Sequence, residues 1–168
     1  MKKLVAILLA VLMTVSLAAC ATQAADTEKK TEEENTQIAN PFTDCETLED
    51  AEKICGFGMT VPEKIDGYDE ILIQAIDDYM VQVIYTKDED NEVLVRKAKD
   101  SGDISGDYNE YESVKTAEID GKDVVFKGHA DGEINNAVWS NGEYSYSIYI
   151  SGAGFSVDTV TELVNATV

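Results

Sequence analysis

The chain has 168 residues, with 33 acidic against 13 basic side chains, one histidine and three cysteines, and its formal charge at pH 7 is −20. Such a surface repels nucleic-acid phosphates and anionic headgroups, both of which select basic patches, so nucleic acid is not among the expected partners. The same charge keeps a domain soluble and attracts cationic peptides or divalent ions through weak, screened contacts.

Met1-Lys2-Lys3 forms a basic start, and Leu4 to Leu17 an apolar run too short to span a hydrocarbon layer of roughly 30 Å as a mature helix. Residues 1–19 therefore read as a signal peptide. Its end, Leu17-Ala18-Ala19-Cys20, resembles the lipobox of bacterial prolipoproteins. The resemblance implies cleavage before Cys20 and a thioether-linked diacylglycerol on its sulfur, which meets the need for two chains in a stable anchor. Membrane lipid, engaged through acylated Cys20 on the extracytoplasmic face, is the expected partner at this end. Loss of residues 1–19 removes Lys2 and Lys3 and no acid, leaving 11 basic against 33 acidic residues and a charge of −22. From Ala21 to Asn40 large apolar side chains are almost absent, so residues 20–40 read as a lipidated cysteine and disordered tether, spanning typically about 25 Å. Residues 41–168 have the usual length of one domain with one core.

The first expected element is a helix over Thr47–Cys55, with Leu48, Ala51, Ile54 and Cys55 on one face, Thr47 and Asp50 suited to its first turn, and Gly56 to stop it. After Val61-Pro62 and Gly67-Tyr68 the pattern turns to period two, as in Tyr79, Val81, Val83 and Tyr85. Strands are expected at 70–76, 79–86, 92–99, 112–119, 122–128, 134–140 and 143–150. Asp120-Gly121 and Asn141-Gly142 are two-residue hairpin signals, because type I′ turns need positive φ at both central positions. Ser156 caps a final helix running to about Thr167, with Val157, Val160, Leu163 and Val164 on one stripe. The fold expected is α+β: an N-terminal helix, an antiparallel meander of six or seven strands, and a C-terminal helix packed on the sheet.

Side chains with chemical potential are few. Ten residues of helix would put Cys45 and Cys55 about 15 Å apart, whereas a disulfide needs Cα atoms within about 7 Å, so a bond requires Cys45 to fold back. Cys55 reads as a small core residue and Cys45 as a partly buried lead-in. His129 stands alone at a strand end, and neither GxSxG nor HExxH occurs, so no catalytic residue, cofactor or metal set is assigned. The loops at 87–92 and 100–107 hold oxygen ligands suited to calcium, but Val93 stands where the EF-hand pattern counted from Asp88 needs glycine. Trp139, Tyr144 and Tyr146 lie on facing strands across Asn141-Gly142, and are read as cross-strand core pairs or as the lining of a ligand groove.

Leu48-Glu49-Asp50-Ala51-Glu52 leading to Gly56-Phe57, then Val61-Pro62, Gly67-Tyr68, Ser105-Gly106-Asp107-Tyr108, Ala137-Val138-Trp139, Gly142 and Tyr144-Ser145-Tyr146 before a short helix, follow one another in a recognisable order. In this order residues 41–168 resemble an uncharacterised domain-of-unknown-function family of bacterial lipoproteins and membrane-anchored proteins of anti-sigma-factor type. The layout is similar to half-barrel carrier and sensor domains that hold lipids or lipoprotein parts, an analogy of fold alone. What the resemblance implies is a noncatalytic extracytoplasmic binding or sensing module for lipid, peptide or envelope protein. The alternatives are an envelope-acting enzyme and a calcium-binding structural lipoprotein.

Overall fold

The computed structural model describes residues 39–168; the expected signal peptide, Cys20 and nearly all of the expected tether lie outside the described residues. Ala39–Val168 is one compact unit. In chain order it contains β1 (Thr43–Cys45), α1 (Leu48–Cys55), β2 (Glu70–Ile76), β3 (Met80–Asp88), β4 (Asn91–Ala98), β5 (Ser113–Ile119), β6 (Lys122–Gly128), β7 (Glu133–Ile134), β8 (Asn136–Ser140), β9 (Ser145–Ile150), β10 (Phe155–Ser156) and α2 (Val157–Ala166).

The local chemistry that suggested the helices also bounds them. Thr47 Oγ1 accepts from the Asp50 amide at 3.1 Å and donates to the Asp50 carboxylate at 2.8 Å, a reciprocal cap. Gly56, left-handed at φ 80°, ends α1 by donating its N–H to Glu52 O. Ser156 caps α2 through the Thr159 amide, and Val160, Leu163 and Val164 are the face it buries. The C-terminus is fastened by two backbone bonds between Thr60 and Val168.

Eight strands form one antiparallel sheet in the order β1-β2-β3-β4-β9-β8-β6-β5, and β7 pairs separately with β10. The α+β class is thus present. Strands β1 to β4 run as a meander, but β4 then takes β9 as its neighbour, and β5 is carried to the far edge. The intervening segment, 99–112, crosses the sheet face instead of making a tight turn. A three-residue strand, β1, joins the sheet beside β2, too short to leave a period-two signature in the sequence.

Register explains the core. Val81, Val83 and Tyr85 stand opposite Lys97, Val95 and Val93, which stand opposite Tyr146, Ile148 and Ile150, so one parity of the central strands makes one face. Ala137 and Trp139 continue that face, and Ala51 and Cys55 of α1 with Val160, Leu163 and Val164 of α2 belong to the same buried cluster.

Two local expectations are corrected and a third is met. The strand expected at 134–140 breaks at Asn135, whose backbone N–H goes to Lys127 O and whose carbonyl accepts from Ile150, outside a regular ladder. Asp120 and Gly121 do adopt φ 48° and 76° in a two-residue hairpin. The Asn141-Gly142 turn has four residues, because Asn141 Oδ1 captures the amides of Glu143 and Tyr144 and Ser140 pairs with Ser145.

Candidate functional site

The aromatic set of β8, β9 and their turn gathers around a lysine. Trp139 and Tyr146, paired across the strands, are buried and stack with centroids 5.2 Å apart and planes at 4°. Tyr144, half-buried in the turn, lies 4.8 Å from the Phe57 ring. Lys97 of β4 has the same parity as Val93 and Val95, so the alternation that builds the core carries its side chain inward as well. It is 8% exposed, and its Nζ sits 4.7 Å from the Tyr144 ring, 5.4 Å from Tyr146 and 5.7 Å from Phe57 while donating to Gly58 O at 2.7 Å. Burial pushes the ammonium's pKa down. The structure therefore places Tyr144 and Tyr146, with Phe57, around a cation of the chain itself while Trp139 stacks on Tyr146, and of Trp139, Tyr144 and Tyr146 only Tyr144 has substantial solvent contact.

The opposite face of the sheet is polar at its centre. Gln74 donates to Asp44 at 2.6 Å, Gln82 to Gln74 at 2.6 Å, and Arg96 Nε to Gln82 at 2.9 Å, a chain of bonds across β1, β2, β3 and β4. Arg96 Nη1 also donates to the carbonyls of Ile104 and Ser105 in the 99–112 strap. Ile104 enters a small apolar cluster with Met80 and Ala98, and Asn136 Nδ2 donates to Ser105 Oγ and Asp107. Among the described residues, Asn136 Oδ1 and Ser147 Oγ are buried without a partner.

The acidic loops are occupied with their own chain. Asp88 accepts from the Asp90 amide and the Asn91 side chain, which hold its pKa low. Burial pushes Asp103 and Asp107 up, yet donors outweigh it: Lys127 and Ser105 for the first, Tyr111 and Asn109 for the second, so both stay below the usual carboxylate range. His129 is exposed and lies against Tyr111 at 4.7 Å. Cys45 and Cys55 are free thiols, Cys55 donating to Phe57 O at 3.1 Å. Among the described residues no three His, Cys, Asp or Glu side chains converge as a metal site.

Two hollows open at the α2 side. One, of about 540 Å³, has Pro62, Ile65, Phe155 and Leu163 in its walls and Lys64 and Glu162 beside them. Tyr85 holds this wall in place by donating its buried hydroxyl to Pro62 O. The other, of about 210 Å³, lies between β5 and the start of α2, against Ala117, Phe126, Ile134 and Val157.

Residues 60–166, well over half of the chain, match the profile of a domain of unknown function, DUF4367. The chain belongs to this family. The DUF4367 region runs from Thr60 through β2 into α2, and so holds the strap, both hollows, Lys97 and the Trp139–Tyr146 pair. It does not include β1, α1 or Phe57, so Leu48–Glu52 and Gly56-Phe57 of the sequence pattern fall outside the match. No curated protein and no solved structure matched the chain.

Neither hollow was legible in the sequence, because each is built from residues distant along the chain. The signal within reach was Lys97, an ionisable residue at the core parity of Val93 and Val95.

Proposed function

We propose that this protein is a membrane-anchored extracytoplasmic lipoprotein whose DUF4367 domain is a noncatalytic binding module. The observation that carries the reading is the open 540 Å³ hollow beside α2, whose walls set apolar Pro62, Ile65, Phe155 and Leu163 beside polar Lys64, Asp66, Thr159 and Glu162, and whose size is one that ligand pockets commonly have. Its occupant on this reading is the apolar part of an envelope component, such as an acyl chain. The titratable groups favour binding over proton transfer: donors hold the carboxyls of Asp50, Asp88, Asp100, Asp103 and Asp107 ionised, and burial keeps the Tyr85 phenol neutral up to about 12. Lipidation of Cys20, so few residues ahead of the domain, would place the hollow within reach of the membrane surface.

The test is native mass spectrometry of a Cys20→Ser chain exposed to an envelope lipid extract. A stoichiometric adduct that is lost in Ile65→Asp, with its melting temperature retained, is the expected result. A bare mass throughout, or hydrolysis of any component of the extract, would overturn the reading.

A further inference from the structure

We infer that the free edge of β5 is a docking site for an extended, lysine-rich segment of another protein, which adds a strand to the sheet and places one aliphatic side chain in the hollow beside β5. This inference is independent of the hollow beside Pro62.

The edge is long and regular. β5 pairs with β6 alone, without a register shift over Ser113–Ile119, and its other side faces no strand among the described residues. The opposite edge of the sheet is β1, whose three residues offer little to pair with. Around the two-residue Asp120-Gly121 turn, the flanking pair Ile119 and Lys122 is the hydrogen-bonded one, and alternation then directs Ala117, Lys115 and Ser113 to β6. Val114, Thr116 and Glu118 therefore turn their N–H and C=O groups to the open side. An unpaired run of this kind is a template for strand addition, in which the main chain supplies affinity and side-chain pockets supply selectivity.

The pocket is present. The 210 Å³ hollow lies on the core-parity side of β5, with Lys115 and Ala117 on one wall and Phe126, Ile134 and Val157 on the others. An added strand would put alternate side chains above it. Two large apolar side chains at this edge are left open, Val157 at 41% exposure beside the hollow and Val114 at 60% on the other face, and a new strand would cover both. An inward-facing charge often guards an edge, but here the guard, Lys115, is drawn aside to Asp131 at 2.9 Å.

Charge selects the occupant. Glu110, Glu112, Glu118, Asp120 and Asp123 line the strand and its ends, and Lys122 is the basic residue left beside them once Lys115 is paired. Residues 39–168 hold 28 acidic and 9 basic side chains, so a second copy of this chain would bring like charge to the edge. A segment alternating lysine with small or aliphatic residues brings opposite charge.

The experiment is fluorescence anisotropy of the full chain in neutral detergent with a labelled peptide Lys-Thr-Lys-Val-Lys-Thr-Lys-Thr. Saturable binding is expected, weakened at least about tenfold by Thr116→Pro, which removes an outward N–H and leaves the bonds to β6 in place. Because that variant can fail to fold, the same loss is expected on the unaltered protein when alternate peptide amides are N-methylated. Val157→Glu should erase the preference for the valine peptide over its threonine counterpart. Binding untouched by N-methylation, equal binding of a peptide with glutamate in place of lysine, or no binding at all would overturn the inference. So would dimers of the chain that dissociate in Thr116→Pro, which would assign the edge to a second copy.

Discussion

Lys97 shows how one side chain can be ruled by strand parity against its own chemistry. The alternation that sends Val93 and Val95 into the core sends the next odd position there too, and the ammonium is accommodated by Gly58 O and the rings of Phe57, Tyr144 and Tyr146. Because burial lowers its pKa, the unfolded chain binds more protons than the folded one between the folded value and about 10.4, so the cost of the buried charge fades as pH rises through that window. Urea titrations of wild type and Lys97→Met should therefore diverge in favour of the wild type on going from pH 7 to pH 10. A difference independent of pH would show that the ammonium is well solvated. Gly128 is governed by space instead: a Cβ there would lie 1.8 Å from the backbone oxygen of Glu133, where the chain folds back from β6 into β7. Backbone cannot yield as a side-chain tip can, so Gly128→Ala should cost more than about 3 kcal/mol in chemical denaturation.

The strap over 99–112 is an element without regular secondary structure, and polar bonds do the work that a ladder does elsewhere. Asp103 is central to it, joining Lys127 at 2.6 Å and Ser105 at 2.6 Å. Its folded pKa is depressed, so the stability it contributes is complete above the unfolded value near 3.9 and is lost as pH falls through the lower, folded value. Asp103→Asn should be less stable than wild type by about 1 kcal/mol at pH 7, a figure held down by the partial exposure of both partners, and the gap should close as pH falls through the depressed, folded value. The same strap marks where sequence reading succeeded and where it stopped. Both helices, the β5–β6 hairpin and the parity of the central strands follow from caps, turn residues and period two, all of them short-range signals. The placement of β9 beside β4 is a long-range choice with no local code, and the polar parity that receives the strap, Gln74, Gln82 and Arg96, reads in isolation as an ordinary solvated face. The aromatic set was legible as a group because its members lie within one hairpin, while its central Lys97 comes from β4.

At the scale of the whole molecule, the proposed anchoring would act together with charge. If processed before Cys20 as proposed, the chain would carry −22 and be repelled by anionic headgroups, so surface attraction would not hold it at a membrane, and attachment would rest on the acyl chains of Cys20 alone. Peripheral binding by a basic patch weakens with salt, whereas a buried diacyl anchor does not. In cells producing the full chain, it should sediment with membranes and stay there through a wash at about 1 M salt, where the screening length is only about 3 Å. Cys20→Ser should move it to the soluble fraction without altering the thermal unfolding of the domain, since Cys20 lies outside the compact unit of residues 39–168. Release of the unaltered chain by salt would instead assign its attachment to a protein partner, and the β5 edge would be the first surface to search.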